Sequence, residues 1–221
     1  MPAAPRWTTF PRCSVSDAPV PVLLALAACV GADDTDPGGG PGAAPEDLAA
    51  RVEADRYPTL LEGLAVTRPP GSAGWQAAQD RCASELEVAG IEVERQDYGT
   101  GTHVVGTLPG EGGPMVVLSA HDDSVADCPG ADDAASGVAG VLEAARVRGG
   151  ASFARDFVVA WWDEEEQGLV GSEAWVEAMG GRGVEVAFVL EMIGYEDDDP
   201  DTQDLPAGLD GVFPDAAAQV R

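Results

Sequence analysis

The chain has 221 residues, 45% of them apolar and 23% charged, which suits one globular domain with a core plus some unstructured residues. Its 39 acidic residues outnumber 12 basic ones, every one of the latter an Arg, for a net charge of −27. That surplus of carboxylate argues against nucleic-acid binding, because phosphate would be repelled, and fits an extracytoplasmic protein or one that gathers cations.

Residues 1–28 read as a targeting segment. Arg6 and Arg12 make a weakly basic start, and Val20 to Ala28 form an apolar run too short to span a bilayer. The run ends in Leu26-Ala27-Ala28-Cys29, which resembles a bacterial lipobox. The expectation is an exported protein, either a lipoprotein held by lipid on Cys29 as its only membrane attachment or a periplasmic or secreted form. Residues 29–45 read as a flexible linker, since the Gly, Pro and Asp of 31–45 bury no apolar surface. Of four cysteines, Cys82 and Cys128 remain in the mature part, to pair as a disulfide or stay as thiols.

The folded domain is expected over 46–221. Residues 46–64 carry helical spacing, Arg68-Pro69-Pro70-Gly71-Ser72 reads as a turn, and 72–89 as a helix presenting Trp75, Ala78, Cys82, Leu86 and Ala89 on one face. Ile91 to Tyr98 and Thr102 to Leu108 form a predicted hairpin. Met115 to Ala120, Phe157 to Trp162 and Val186 to Leu190 are short apolar runs of the kind found when both faces of a sheet are covered. A helix with Val138, Val141, Leu142 and Ala145 on one face lies between the first two runs, and a second, 170–179, between the last two. The alternation predicts an α/β fold, a mostly parallel central sheet flanked by helices.

In such sheets a site lies beyond the carboxyl ends of the strands. The first run ends in His121-Asp122-Asp123, the second in Asp163-Glu164-Glu165-Glu166, and the third in Glu191; Asp132 and Asp133 precede the intervening helix. One imidazole and many carboxylates converging in space would repel or protonate, and divalent cations relieve that conflict. Glu164 competes with Glu165, and Asp132 with Asp133, for the decisive positions.

Four motifs occur in order. His121-Asp122-Asp123-Ser124 resembles H-x-D-S; Pro129 to Gly137, read PGADDAASG, resembles P-G-A-D-D-N-A-S-G; Glu165 to Ser172 resembles E-E-x-G-L-x-G-S; Leu190-Glu191-Met192-Ile193-Gly194-Tyr195 resembles L-(D/E)-M-I-G-Y. Together they resemble the M28 metallopeptidases, zinc exopeptidases of aminopeptidase type, over residues 68 to about 214. The resemblance implies that Asp133 bridges two Zn²⁺ ions, that His121 and Glu191 complete one and Glu166 holds the other. It implies that Glu165 is the general base and that Asp123 orients His121. The implied substrates are peptides.

Departures accompany the motifs. Ala134 stands where the family has Asn, and Glu191 where many relatives have Asp. The family supplies a further His to the second zinc beyond the last motif, whereas this sequence holds only His103 and His121. The resemblance therefore implies a domain incomplete at its C-terminus, with weak binding at the second metal position and little turnover. Two other functions stay open: a glutaminyl-cyclase-like acyltransferase using one zinc, and a non-catalytic, metal-poor binding domain.

Overall fold

The structure, a computed structural model, describes residues 45–149 and 153–194. The expected targeting segment, nearly all of the linker, Tyr195 and everything after it lie outside the described residues. The helical spacing of 46–64 resolves into two helices, α1 (Pro45–Ala49) and α2 (Arg56–Leu64), with a turn between them. Helix α3 (Ala73–Val88) begins at Ser72, whose hydroxyl accepts from the Trp75 amide at 3.2 Å. That bond satisfies one of the donors a helix start leaves free. Its buried stripe is Ala78, Gln79, Cys82, Ala83 and Leu86; Trp75 and Ala89 lie at its margins. Cys82 and Cys128 are both free thiols.

Strands β1 (Glu92–Asp97) and β2 (Thr102–Leu108) form the predicted hairpin, followed by β3 (Met115–His121), an irregular turn at Ala131–Ser136, helix α4 (Gly137–Arg148), β4 (Phe157–Trp162), helix α5 (Val170–Ala178) and β5 (Val184–Val189). The strand order is β1-β2-β4-β3-β5. β3 pairs in parallel with β4 and β5, while β2 pairs antiparallel with β1 and β4. The expectation of a mostly parallel sheet is thus corrected: the sheet is mixed. The short 98–101 turn forces β2 to run back along β1, and β2 then joins β4 in the reverse sense, whereas the helical crossovers keep β3, β4 and β5 aligned.

The two crossovers leave β3 and β4 on opposite sides. Helices α2, α3 and α4 cover one face with a core that includes Leu60, Leu86, Leu118, Val141, Leu142, Val159 and Trp161. Helix α5 covers the other, setting Trp175 and Met179 against Val117, Val158 and Trp162. Adjacent residues of a strand point to opposite faces, so the Trp161-Trp162 pair serves both layers. β5 departs from expectation: it lies at the end of the strand order with Val184 and Val189 exposed, and only Val186 and Phe188 lean on the core. A run of apolar residues alone does not tell an edge from a centre. The two crossovers part at the exits of β3 and β4, which is where a doubly wound sheet holds its ligand.

Candidate metal centre

His121 is the last residue of β3, paired with Trp162 in β4 and 2% exposed. Its ring is fixed from both sides. Nδ1 lies 3.0 Å from Oδ1 of Asp123, and Nε2 lies 2.9 Å from Oδ1 of Asp133 and 3.4 Å from Oε2 of Glu191. A carboxylate facing Nδ1 accepts its N–H and so aims Nε2 at the other two acids. Burial pulls the imidazole toward the neutral form, but the Asp123 hydrogen bond with the charges of Asp123, Glu191 and Glu165 outweighs it and raises the pKa to about 9.

Asp123 is fully buried and organises more than the ring. Its Oδ1 and Oδ2 accept the backbone amides of Glu165 and Glu166, each at 3.2 Å. One carboxylate therefore ties the exit of β3 to the exit of β4. Asp133 sits in the turn before α4, where it and Ala134 leave helical geometry across a cis peptide bond. The Asp132 carboxylate turns elsewhere and accepts the Gly194 amide at 2.8 Å, while Ser136 Oγ accepts that of Ile193 at 3.0 Å. These bonds hold the segment after Glu191 against the turn that carries Asp133.

The ligand atoms of His121, Asp133 and Glu191 lie within 4.8 Å of one another. Oxygen and nitrogen donors placed tetrahedrally around zinc at about 2.0–2.2 Å sit roughly 3.4 Å apart, so the spacing and the donor types both fit that ion. Glu166 is not part of this group, although burial and the charge of Asp133 raise its pKa. Burial likewise raises Glu191, which His121 opposes and Asp133 reinforces. Glu165 is electrostatically close to His121 and Glu191, whereas Glu164 is not: its Oε2 accepts from Tyr98 Oη at 3.1 Å and Thr100 Oγ1 at 2.6 Å.

Sequence reasoning passed over a second acidic group beside the first. Asp163, fully buried, accepts from Trp75 Nε1 at 2.8 Å, the Thr102 amide at 3.0 Å and the Glu164 amide at 2.8 Å. Asp122 is fully buried too, and burial, with Asp163 second, pushes its carboxyl well above the usual carboxylate range. Asp163 flanks a cavity of about 430 Å³ lined also by Trp75, Asp97, Thr100, Glu164 and Gln167. His103 is buried as well, stacked on Tyr98 at 4.4 Å and edge-on to Trp162 at 5.4 Å, away from the metal-type cluster. The only advance signal was acidic density at the strand exits, which does not say which acids face each other.

An oriented imidazole meeting two carboxylates where two crossovers part gives this α/β protein a site with the donor set of a divalent-metal centre. The sequence model of Peptidase family M28 matches residues 103–219, more than half of the chain, and the chain belongs to that family. It is 32% identical over 179 residues to leupeptin-inactivating enzyme 1 of Streptomyces exfoliatus, covering 76% of this chain and 39% of that protein. It is 33% identical over 138 residues to leucine aminopeptidase 1 of Coccidioides posadasii, covering 54% of this chain and 34% of that one. The chain thus spans well under half the length of these relatives. Among solved structures, the LapA aminopeptidase of Legionella pneumophila superposes with a TM-score of 0.62 at 24% identity, over 69% of this chain and 46% of the other. Porphyromonas gingivalis glutaminyl cyclase superposes with a TM-score of 0.56 at 24% identity, over 66% and 61%. At that identity both likenesses speak to the fold alone.

Proposed function

We propose that this chain carries the catalytic centre of a zinc-dependent exopeptidase that removes N-terminal residues from peptides. The observation that carries the reading is the meeting of His121, Asp133 and Glu191 in a chain of family M28. These three would hold one zinc, and Asp133 with Glu166 would contribute to a second. Bound zinc supplies Lewis acidity, which polarises a carbonyl and acidifies water. Glu165 is the general base, taking the proton from the attacking water and passing it to the leaving amine. Asp123 positions both halves of that machinery, since His121 Nδ1 and the Glu165 amide share its Oδ1. Among the described residues the second ion has no imidazole, because His103 is enclosed by Tyr98 and Trp162. One zinc should therefore bind more tightly than the other.

The test is zinc titration of the metal-free chain, followed by hydrolysis of aminoacyl anilides. The parent should bind zinc and turn over, even if slowly, and Glu165→Gln should keep the zinc and lose about 100-fold or more in rate. A zinc-loaded parent no faster than Glu165→Gln withdraws the peptidase reading. A second reading, cyclisation of N-terminal glutamine with a single zinc, is favoured by the single three-residue cluster among the described residues. Product analysis on peptides beginning with Gln separates the two. We also place the protein outside the cytoplasm, anchored through lipid on Cys29. Incorporation of labelled fatty acid into the parent, and not into Cys29→Ser, checks this.

A further inference from the structure

Arg68 is fully buried, and no described carboxylate pairs with its guanidinium. Its hydrogen bonds go to main-chain carbonyls instead. Nε donates to Asp122 at 3.0 Å; the two N–H of Nη1 are shared among the carbonyls of Leu64, Val66 at 2.8 Å and Pro129 at 2.9 Å; Nη2 donates to Gly130 at 3.1 Å. The backbone of the same residue is tied as well: its amide donates to Ser124 Oγ at 2.9 Å, and its carbonyl accepts the Ser124 amide at 3.1 Å. Ser124 Oγ in turn donates to the Cys128 carbonyl at 3.1 Å. Taking a guanidinium fully out of water is costly, and a plain turn does not require it.

Three of these carbonyls, those of Asp122, Pro129 and Gly130, lie on the segment that carries His121 and Asp133. Asp122 follows His121 directly, and Gly130 lies three residues before Asp133, so the guanidinium spans the interval between two of the three clustered ligands. The packing has no slack. Gly130 is in the left-handed region at φ +53°, and a Cβ there would lie 2.4 Å from the Asp133 carbonyl oxygen and 3.0 Å from Arg68 Nη2. Only a planar fork with five donors reaches all of these acceptors; an ammonium has three donors at a single point.

We propose that Arg68 is a positioning residue for the metal centre, setting the separation of His121 and Asp133 by tying the carbonyls of Asp122, Pro129 and Gly130 to the 64–68 turn. This rests on the metal reading of the cluster. Arg68 touches neither metal nor substrate and acts through the backbone that carries the ligands.

The experiment compares the parent 221-residue chain with Arg68→Lys. Zinc affinity is read by competition with a chromophoric chelator, and hydrogen exchange over 128–137 is read by mass spectrometry on the metal-free proteins. Partners that orient metal ligands are worth roughly 10- to 100-fold in affinity, so Arg68→Lys should lose about that much. Exchange over 128–137 should rise severalfold while that of β4 holds. A folded Arg68→Lys with the parent's zinc affinity overturns the proposal, since a merely structural arginine would lower the melting temperature and leave the affinity of the folded protein alone. Should Arg68→Lys not fold, Ser124→Ala loosens the same clasp without stranding a charge. It should lose about threefold or more in zinc affinity and exchange faster over 128–137, and parental values for both overturn the proposal equally. A parent that binds no zinc removes the metal reading itself. The exchange arm then still shows whether Arg68 clamps the turn, so the two failures are told apart.

Discussion

Two groups of acids near the strand exits, one from the turn before α4 and the end of β5 and the other from the end of β4, meet opposite fates. Asp133 and Glu191 keep 47% and 45% of their side-chain surface exposed and converge on the Nε2 atom of His121. Asp163 and Glu164, 0% and 6% exposed, are held by the hydrogen-bond donors of Trp75, Thr102, Tyr98 and Thr100. The first group is half-exposed around one imidazole; the second is held by donors of the protein, although Asp163 and Glu164 also line the cavity beside Trp75. A carboxylate at a strand end is thus a ligand or a strut according to what its neighbours donate, and charge alone does not separate the two roles.

The largest effect expected from breaking this contrast falls on the first group. His121→Ala removes the single imidazole of the cluster and should cost about 4 kcal/mol of zinc binding, roughly a thousandfold, a larger loss than the fall in metal-free stability that follows from leaving buried Asp123 without its partner. Chelator competition with thermal melts in a chelating buffer measures both. Asp163→Ala is the converse. It strands three donors of which the Trp75 indole and the amides of Thr102 and Glu164 are the owners, and about 3 kcal/mol of stability should go in urea unfolding. Zinc affinity should hold within about threefold, because no bond joins Asp163 to the cluster. Equal losses in both measurements for either variant would erase the distinction.

The strands and helices were legible because their apolar spacing is local: β4 and β2 occupy their predicted ranges, and α3 and α5 fall within a residue or so. The mixed pairing was not, since nothing within β2 tells it to lie against β4. At the centre, acids at the ends of β3, β4 and β5 announced a metal-type site, and motif likeness named Asp133 above Asp132. In the structure the Asp132 carboxylate accepts the Gly194 amide, whereas Asp133 reaches His121 Nε2. Arg68 remained hidden inside what reads as a turn, because its partners are backbone carbonyls, which every residue has. Asp122 and Asp163 were hidden for a different reason: burial is a property of the whole fold, and an acidic sequence gives every carboxylate the same appearance.

A smaller effect comes from pH and bears on the strut side. His103 lies between Tyr98 and Trp162, and burial lowers its pKa to about 4, against weaker support from Gly171 and Glu164. Between pH 6.5 and 4 the unfolded chain binds a proton there that the native chain does not, so stability falls as the pH drops through that window. The full shift is worth about 3 kcal/mol. Asp122 acts in the opposite sense, since an acid with a raised native pKa takes up its proton in the native state first. The informative quantity is therefore the difference between parent and His103→Gln, measured by urea unfolding at pH 7 and pH 4.5. The parent should lose more stability on acidification, by about 2 kcal/mol, and parallel curves would remove His103 as the source.

The smallest effect divides the strut group itself. Glu164 has two hydroxyl donors, Thr100 at 2.6 Å and Tyr98 at 3.1 Å, and the Tyr98 ring also stacks on His103. Burial, then the neighbouring Asp163 and the bond to Glu164, raise the phenol pKa far above its usual value, so it donates throughout the neutral range. Tyr98→Phe keeps the ring and the stack and removes one donor, leaving Glu164 with the shorter bond. A hydrogen bond to a charged acceptor that retains a second donor is worth about 1 kcal/mol, and that is the expected loss in unfolding free energy. Zinc affinity should not move, because Glu164 turns away from the cluster. If it falls instead by tenfold or more, the hydroxyl's influence reaches the adjacent Glu165 and Glu166 through the turn they share, and the two groups of acids are one network rather than two.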